Sequence, residues 1–346
     1  MILYTYNICI LIVESVCDRL FSLVINVRKL ICDELKHSTY TCTQLRDSKH
    51  GDCAHLFAVK VLGNVARSLT FYAAFEFWSE DSDTNLWEHC GLFEGDIMLH
   101  REWLRNGLLK EKFTWPDATV PFYIDSNDFN QTQMMTILEA FKEYHEKTCI
   151  RFRPYEKGDT NWIIIKGNYT GCWSSVGRRQ GGQVLNLNTP RCVSHGVIVH
   201  ELLHALGFYH QQSSTERDEY VKINWENILD GHAHNFNKYA RTHITNFGVE
   251  YDYQSVMHYS SKAFTKNGKP TIEPLDPYAS LGQRKGLSKK DISKLNEMYQ
   301  EDCNADDLFS FDRLGSYLDE LLELFQNSLF RRNRPEKRTR NVTNEM

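Results

Sequence analysis

Apolar residues recur along this chain with two different periods. Between Asn130 and Cys149, Met134, Ile137, Leu138, Phe141 and Tyr144 fall at helical spacing and predict one amphipathic helix. Val120–Ile124, following Pro116, reads as a strand. Pro121 inside it predicts an edge position or a strand start, because proline has no N–H to give to a ladder. Ile150–Arg153, Trp162–Ile165, Thr170–Val176 and Gln183–Asn188 read as further strands. Trp162–Ile165 is apolar enough to predict burial on both faces. A helix is expected to start near Ser194. After His210 the pattern turns Gly-, Asn- and Tyr-rich, which predicts a mostly irregular second half. Ser288 with Asp291 is close to a capping box for a last helix through Met298 and Tyr299.

Both ends carry apolar runs of their own. Ile8–Val13 is too short to span a membrane, and it lacks the basic start and small-residue cleavage site of a secretory signal. Leu314, Tyr317, Leu318, Leu321, Leu322, Phe325 and Leu329 form one helical stripe, followed by the basic run from Arg331 to Arg340. Such a stripe fits either packing on its own domain or a membrane surface with a basic anchor. The expectation is packing, with membrane contact as the lesser alternative.

Composition narrows the class. The chain has 346 residues, 41% hydrophobic and 25% charged, an ordinary globular balance for one large or two small domains. A formal net charge of −5 gives no sign of a nucleic-acid partner. Ten cysteines are many for a reducing compartment and predict an oxidising, extracellular setting. Their number does not assign the pairs.

The strongest chemical signal is His200-Glu201-Leu202-Leu203-His204-Ala205-Leu206-Gly207-Phe208-Tyr209-His210. Two histidines four apart share one helical face, where one Zn²⁺ can take both imidazoles. Gly207 can leave the helix with positive φ, so the chain can turn back and bring His210 as a third ligand. Glu201 stands beside the first ligand, where it can serve a metal-activated water as general base. Five fixed positions give a chance match on the order of 10⁻⁴ over a chain of this length.

Downstream, Ser255-Val256-Met257-His258-Tyr259 has the form of a Met-turn. Together with Gly171-Cys172-Trp173-Ser174, Cys192-Val193-Ser194-His195-Gly196 and Arg217-Asp218, these motifs resemble the astacin family of metzincin zinc endopeptidases across residues 92–303. The resemblance implies an α+β, zincin-like, two-lobed protease domain. Its N-terminal lobe would hold a twisted, mostly parallel sheet with an antiparallel edge strand and the active-site helix. Its C-terminal lobe would be largely irregular.

The resemblance also implies one Zn²⁺ held by His200, His204 and His210, with Tyr259 as a weak fifth ligand that turns to the oxyanion, and Met257 as an apolar floor. It implies disulfides Cys149–Cys303 and Cys172–Cys192. Substrate peptides would pair antiparallel with the edge strand around Trp173. Arg284, in Leu281-Gly282-Gln283-Arg284, resembles the lining of the pocket for the residue after the cut. It is expected either to pair with an acidic side chain there or to be a solvated surface arginine. His195 and His258 are expected to be structural.

Leu92-Phe93-Glu94-Gly95-Asp96-Ile97 resembles the family's prosegment motif F-x-G-D, in which the aspartate, here Asp96, takes the fourth zinc position in the zymogen. Arg105-Asn106 resembles an activation site for a trypsin-like protease. The expected organisation is an unassigned region 1–91, a prosegment end 92–105, a protease domain 106–303 and a tail 304–346. One departure stands out: Gln211 occupies the position of the family's glutamate that receives the new N-terminus. The resemblance thus predicts a secreted zinc endopeptidase acting on proteins or peptides, with a catalytically silent peptide-binding domain as the alternative. A second rival places the chain's main work in residues 1–90 as an interaction segment.

Overall fold

A computed structural model describes residues 82–99, 113–240 and 245–303. The apolar run at Ile8–Val13, the Arg105-Asn106 bond and the tail beyond Cys303 lie outside the described residues.

The first lobe is built on a five-stranded sheet in the order β2-β1-β3-β5-β4. β1 (Thr119–Ile124), β2 (Arg151–Pro154), β3 (Asn161–Lys166) and β5 (Gly181–Leu187) run parallel, and the two-residue β4 (Cys172–Trp173) pairs antiparallel with β5. The edge strand expected over Thr170–Val176 is therefore reduced to Cys172–Trp173. Pro121 is not at an edge, since β1 lies between β2 and β3. Its missing donor is tolerated because β3 pairs only from Phe122 onward, which leaves Pro121 beside one neighbour, β2. In β3 the side chains alternate: Ile163 and Ile165 are buried while Trp162 and Ile164 are half-buried. Only one face is sealed, and Trp162 on the other is covered by the ring of Tyr155, centroids 4.9 Å apart.

Helix α1 (Gln131–Lys147) begins at Asn130, whose side chain accepts from Gln133 N–H in a capping box. It buries Ile137, Leu138, Phe141 and Tyr144 in one core with Phe122, Ile163, Leu185 and the apolar residues of α2 (His195–Ala205). The Tyr144 hydroxyl donates to Val199 O at 2.7 Å and locks the two helices together. α2 lies close against the later chain, since a Cβ at Gly196 would sit 1.8 Å from Arg284 O. The disulfides Cys149–Cys303 and Cys172–Cys192 are both formed. The first spans 154 residues, so in the chain-entropy view it contributes roughly 4–5 kcal/mol.

The second lobe has little regular structure: a two-stranded antiparallel sheet of β6 (Val221–Ile223) and β7 (Ile272–Pro274), short 3₁₀ turns, and α3 (Lys289–Met298). It has its own core around Phe236, Tyr251, Tyr259, Phe264 and Ile272. Val256 and Met257 belong to the first core and Tyr259 to the second, so the Met-turn joins the lobes. Asp291 of α3 anchors it there. This buried carboxylate completes the capping box with Ser288 and accepts from Ser255 Oγ at 2.6 Å and Val256 N at 3.0 Å. Removing it strands three donors, two of them on main-chain N–H groups. We expect Asp291→Ala to cost about 3 kcal/mol or more in denaturant unfolding, and Asp291→Asn, which keeps one acceptor oxygen, to cost less.

Candidate metal centre

His200 and His204 lie one turn apart on α2, and His210 follows the helix end. That end is a Schellman turn: Gly207 N donates to His204 O at 2.8 Å and Phe208 N to Leu203 O at 3.1 Å. Gly207 takes φ +118°, and a Cβ there would meet Met298 Cε at 2.6 Å. The helix's last carbonyls find donors from elsewhere in the chain. Trp115 Nε1 donates to Ala205 O, and the Tyr299 hydroxyl donates to Leu206 O, both at 2.9 Å.

The outcome is a buried cluster. One ligand atom each from His200, His204, His210 and Asp96 lies within 4.8 Å of the others. Asp96 Oδ2 is 3.0 Å from His200 Nε2, and Oδ1 is 3.3 Å from His204 Nε2 and 3.4 Å from His210 Nε2. Yet Asp96 Oδ1, His204 Nε2 and His210 Nε2 make no hydrogen bond, and neither does either carboxylate oxygen of Glu201, although all are buried. So many unpartnered polar atoms in one place are expensive unless a cation satisfies them. Three imidazoles and one carboxylate oxygen form a donor set suited to tetrahedral Zn²⁺.

Electrostatics point the same way. Burial pushes His200 down to about 4, which favours the neutral ligating form. His210 moves to about 9, where burial is outweighed by the carboxylates of Asp96 and Glu94. The cluster calls for positive charge, and a metal ion can supply it. Burial, and after it the Asp96 charge, pushes Glu201 well above the usual carboxylate range.

Each ligand ring is held from behind. Nδ1 of His200 bonds Val256 O at 2.9 Å, and Nδ1 of His204 bonds Phe208 O at 2.7 Å. Nδ1 of His210 bonds Glu94 Oε2 at 2.9 Å. Such partners fix the tautomer that leaves Nε2 free for a metal.

Segment 82–99 fills the cleft in front of these groups, and its contacts extend ahead of Leu92. Met98 N donates to Ser174 O at 2.8 Å and Ser174 N to Asp96 O at 3.1 Å, as a parallel bridge beside β4. Leu86 and Trp87 are fully buried, and Trp87 stacks on His200 with centroids 4.1 Å apart. Glu88 accepts from Ser260 N at 2.6 Å and Ser260 Oγ at 2.7 Å, and burial raises its carboxyl to about 7. Arg284 donates to Thr84 O at 2.8 Å and Ser82 O at 2.9 Å, two main-chain carbonyls of this segment.

The other residues singled out in the sequence fall around this centre. Tyr259 is buried with its ring centroid 4.7 Å from that of His210, and its hydroxyl donates to Glu94 O at 2.6 Å. Met257 is buried in the core that carries α2. Trp173 lies on β4, its Nε1 donating to Thr170 O at 3.1 Å. Gln211 Oε1 accepts from the buried Lys294 ammonium at 2.5 Å. His195 pairs with Glu143, and His258 lies between the Tyr251 hydroxyl and Tyr259 O, both outside the four-residue cluster. The sequence reading missed Trp87, Glu88 and Glu94. For Glu94 a signal existed: a carboxylate in the variable position of F-x-G-D, two residues from Asp96.

Comparisons with known proteins agree with this geometry. The family model for the astacin peptidases matches residues 108–300. The chain is 48% identical over 187 residues to zinc metalloproteinase nas-14 of Caenorhabditis elegans, covering 54% of this chain and 37% of that protein. It is 44% identical over 242 residues to meprin A subunit beta of Homo sapiens, covering 68% of this chain and 33% of that protein. The chain thus spans about a third of the length of these curated relatives. Among solved structures it is similar to high choriolytic enzyme 1, a hatching enzyme zinc-protease of the medaka Oryzias latipes. That match has a TM-score of 0.52 at 37% identity and covers 56% of this chain and 99% of that one. With a metzincin-type histidine cluster, a Met-turn joining two lobes and a family match over more than half its length, this chain belongs to the astacin family.

Proposed function

We propose that this chain is a zinc-dependent endopeptidase of protein or peptide substrates, secreted, and held latent by the segment that carries Asp96. The observation that carries this reading is the convergence of three imidazole nitrogens and one carboxylate on a buried point, with Glu201 unpartnered next to it in sequence. Two disulfides and the high cysteine count support an oxidising compartment.

A bound zinc ion supplies Lewis acidity and lowers the pKa of water toward ~7. Glu201 takes the proton of the attacking water on a carboxylate oxygen and returns it to the leaving amine. Departure of Asp96 removes a nearby negative charge, the second of the two causes that raise Glu201, and so favours its ionised, proton-accepting form. The Tyr259 hydroxyl, released from Glu94 O, can donate to the oxygen that gains charge. A substrate strand adds to the edge at Cys172–Ser174, where extended peptides bind through main-chain bonds. Residues 96–98 run parallel there, opposite to the antiparallel direction expected of a substrate. That supports their role as a plug rather than a substrate. Processing by a trypsin-like protease after Arg105 would remove it.

Three outcomes are expected. Glu201→Gln keeps one zinc per chain by metal analysis and loses about 10²–10⁴-fold in peptide cleavage. A variant that cuts at the wild-type rate would remove Glu201 from the base role. Asp96→Ala gives peptidase activity to the uncleaved chain, read on a fluorogenic peptide with processing checked by gel; continued latency would sink the aspartate switch. Processed enzyme profiled on a peptide library prefers an acidic residue after the cut, through Arg284. A preference that survives Arg284→Ala, or was never there, would exclude that pairing.

A further inference from the structure

We infer that Glu94 is a positioning residue for the metal centre, one that holds His210 in the uncleaved chain and leaves with the prosegment. The inference rests on the reading of segment 82–99 as that prosegment. The three ligand histidines are not held alike. His200 and His204 lean on main-chain carbonyls of the protease itself, Val256 O and Phe208 O. His210 leans on a carboxylate supplied by the segment destined to go. A charged carboxylate acceptor makes a stronger hydrogen bond than a neutral carbonyl, and it raises the basicity of the ligating nitrogen.

Everything around Glu94 serves this placement. Its residue is 1% exposed. Oε1 receives the Tyr239 hydroxyl at 2.5 Å and lies 3.4 Å from Ser213 Oγ, both neutral donors, while Oε2 is left to His210. The main chain is clamped as well: Glu94 N donates to Asn235 Oδ1 at 3.1 Å, and Glu94 O receives the Tyr259 hydroxyl at 2.6 Å. Glu94 has φ +48°, a conformation that non-glycine residues adopt only when their surroundings impose it. The next residue, Gly95, has φ +94°, and a Cβ there would come 2.9 Å from Trp87 O. A strained turn therefore aims two carboxylates, Glu94 and Asp96, at the two nitrogens of one imidazole and its neighbours.

The consequence concerns metal retention and not only access. Asp96 and Glu94 bring two negative charges to a dication. Their joint loss on processing leaves His210 without its anionic orienter and frees Tyr259 in the same event. The latent centre is then the tight, charge-balanced form, and the processed centre is looser and more electrophilic.

Full-length chain kept uncleaved, with zinc loaded, is mixed with a chromogenic chelator, and zinc release is timed for wild type, Glu94→Gln, Glu94→Ala and Asp96→Ala. Cobalt-substituted samples are compared by visible spectrum. Glu94→Ala is expected to weaken zinc retention about 10–100-fold and to shift the cobalt bands. Glu94→Gln, which keeps an acceptor oxygen without the charge, should fall between. After trypsin processing the Glu94 variants and wild type carry the same mature sequence and should release zinc alike, which a general folding defect would not reproduce. Wild-type release rates in uncleaved Glu94→Gln and Glu94→Ala would overturn the inference. The Asp96→Ala arm judges the switch separately: if it leaves the chain latent while the Glu94 variants lose zinc faster, the switch fails and the Glu94 role stands.

Discussion

Three imidazoles on one chain segment can reach a common point only if the helix bearing the first two stops directly after them. Here the stop is enforced rather than merely allowed. Gly207 adopts a conformation open to glycine, the Schellman bonds close the turn, and Trp115 and Tyr299 supply donors to carbonyls that the ended helix leaves bare. Each donor comes from a distant part of the chain. Tyr299 sits just past α3, four residues before the Cys303 disulfide, and Trp115 just before β1. The bend that makes the metal centre is thus also the place where the last helix, the first strand and α2 are bound together.

The same economy governs how the rings are oriented. Val256 O holds His200, Val256 N is held by Asp291, and Asp291 caps α3. A chain of hydrogen bonds runs from the cap of the last helix through the Met-turn to the first ligand. The Met-turn also divides its side chains between the two cores, so the lobes cannot shift against each other without disturbing a ligand. His204 depends only on its own helix end, through Phe208 O. Of the three Nδ1 atoms, only that of His210 bonds a residue of segment 82–99.

These differences mark the limit of what the sequence discloses. The histidine cluster was legible because its spacing is local: four residues on a helix and a glycine bend need no knowledge of the rest of the fold. α1 and the Ser288 cap were legible for the same reason, while the Asn130 cap was not read. Pro121 was misplaced at an edge because strand order is a long-range property, and the offset between the β2 and β3 pairings that shelters it leaves no local mark. Trp162–Ile165 read as doubly buried because apolar composition does not say which face the rest of the fold covers. The strand expected from Thr170 shrank to two residues, and the parallel bridge beside it at Ser174 is made by segment 96–98 instead. The roles of Glu88 and Glu94 join residues more than a hundred positions apart; a local window shows Glu94 as a carboxylate two residues from Asp96 but does not name its partner.

The proposed latency and the proposed catalysis draw on one electrostatic fact. A site built to make a metal electrophilic must leave that metal short of negative charge, and a buried charge deficit attracts carboxylates. Segment 82–99 exploits this with Asp96 in front of the imidazoles and Glu94 behind one of them. It spreads the rest of its binding over neutral or peripheral contacts: Trp87 against His200, Glu88 on Ser260, and main-chain carbonyls on Arg284. Since several of these acceptors are main-chain oxygens, much of the docking depends on the path of the segment rather than on its side chains. The strained Glu94-Gly95 turn is where that path is decided, because it alone brings both carboxylates to the same histidine. A segment unable to hold that turn could still lie in the cleft, but it would block the site sterically without balancing its charge.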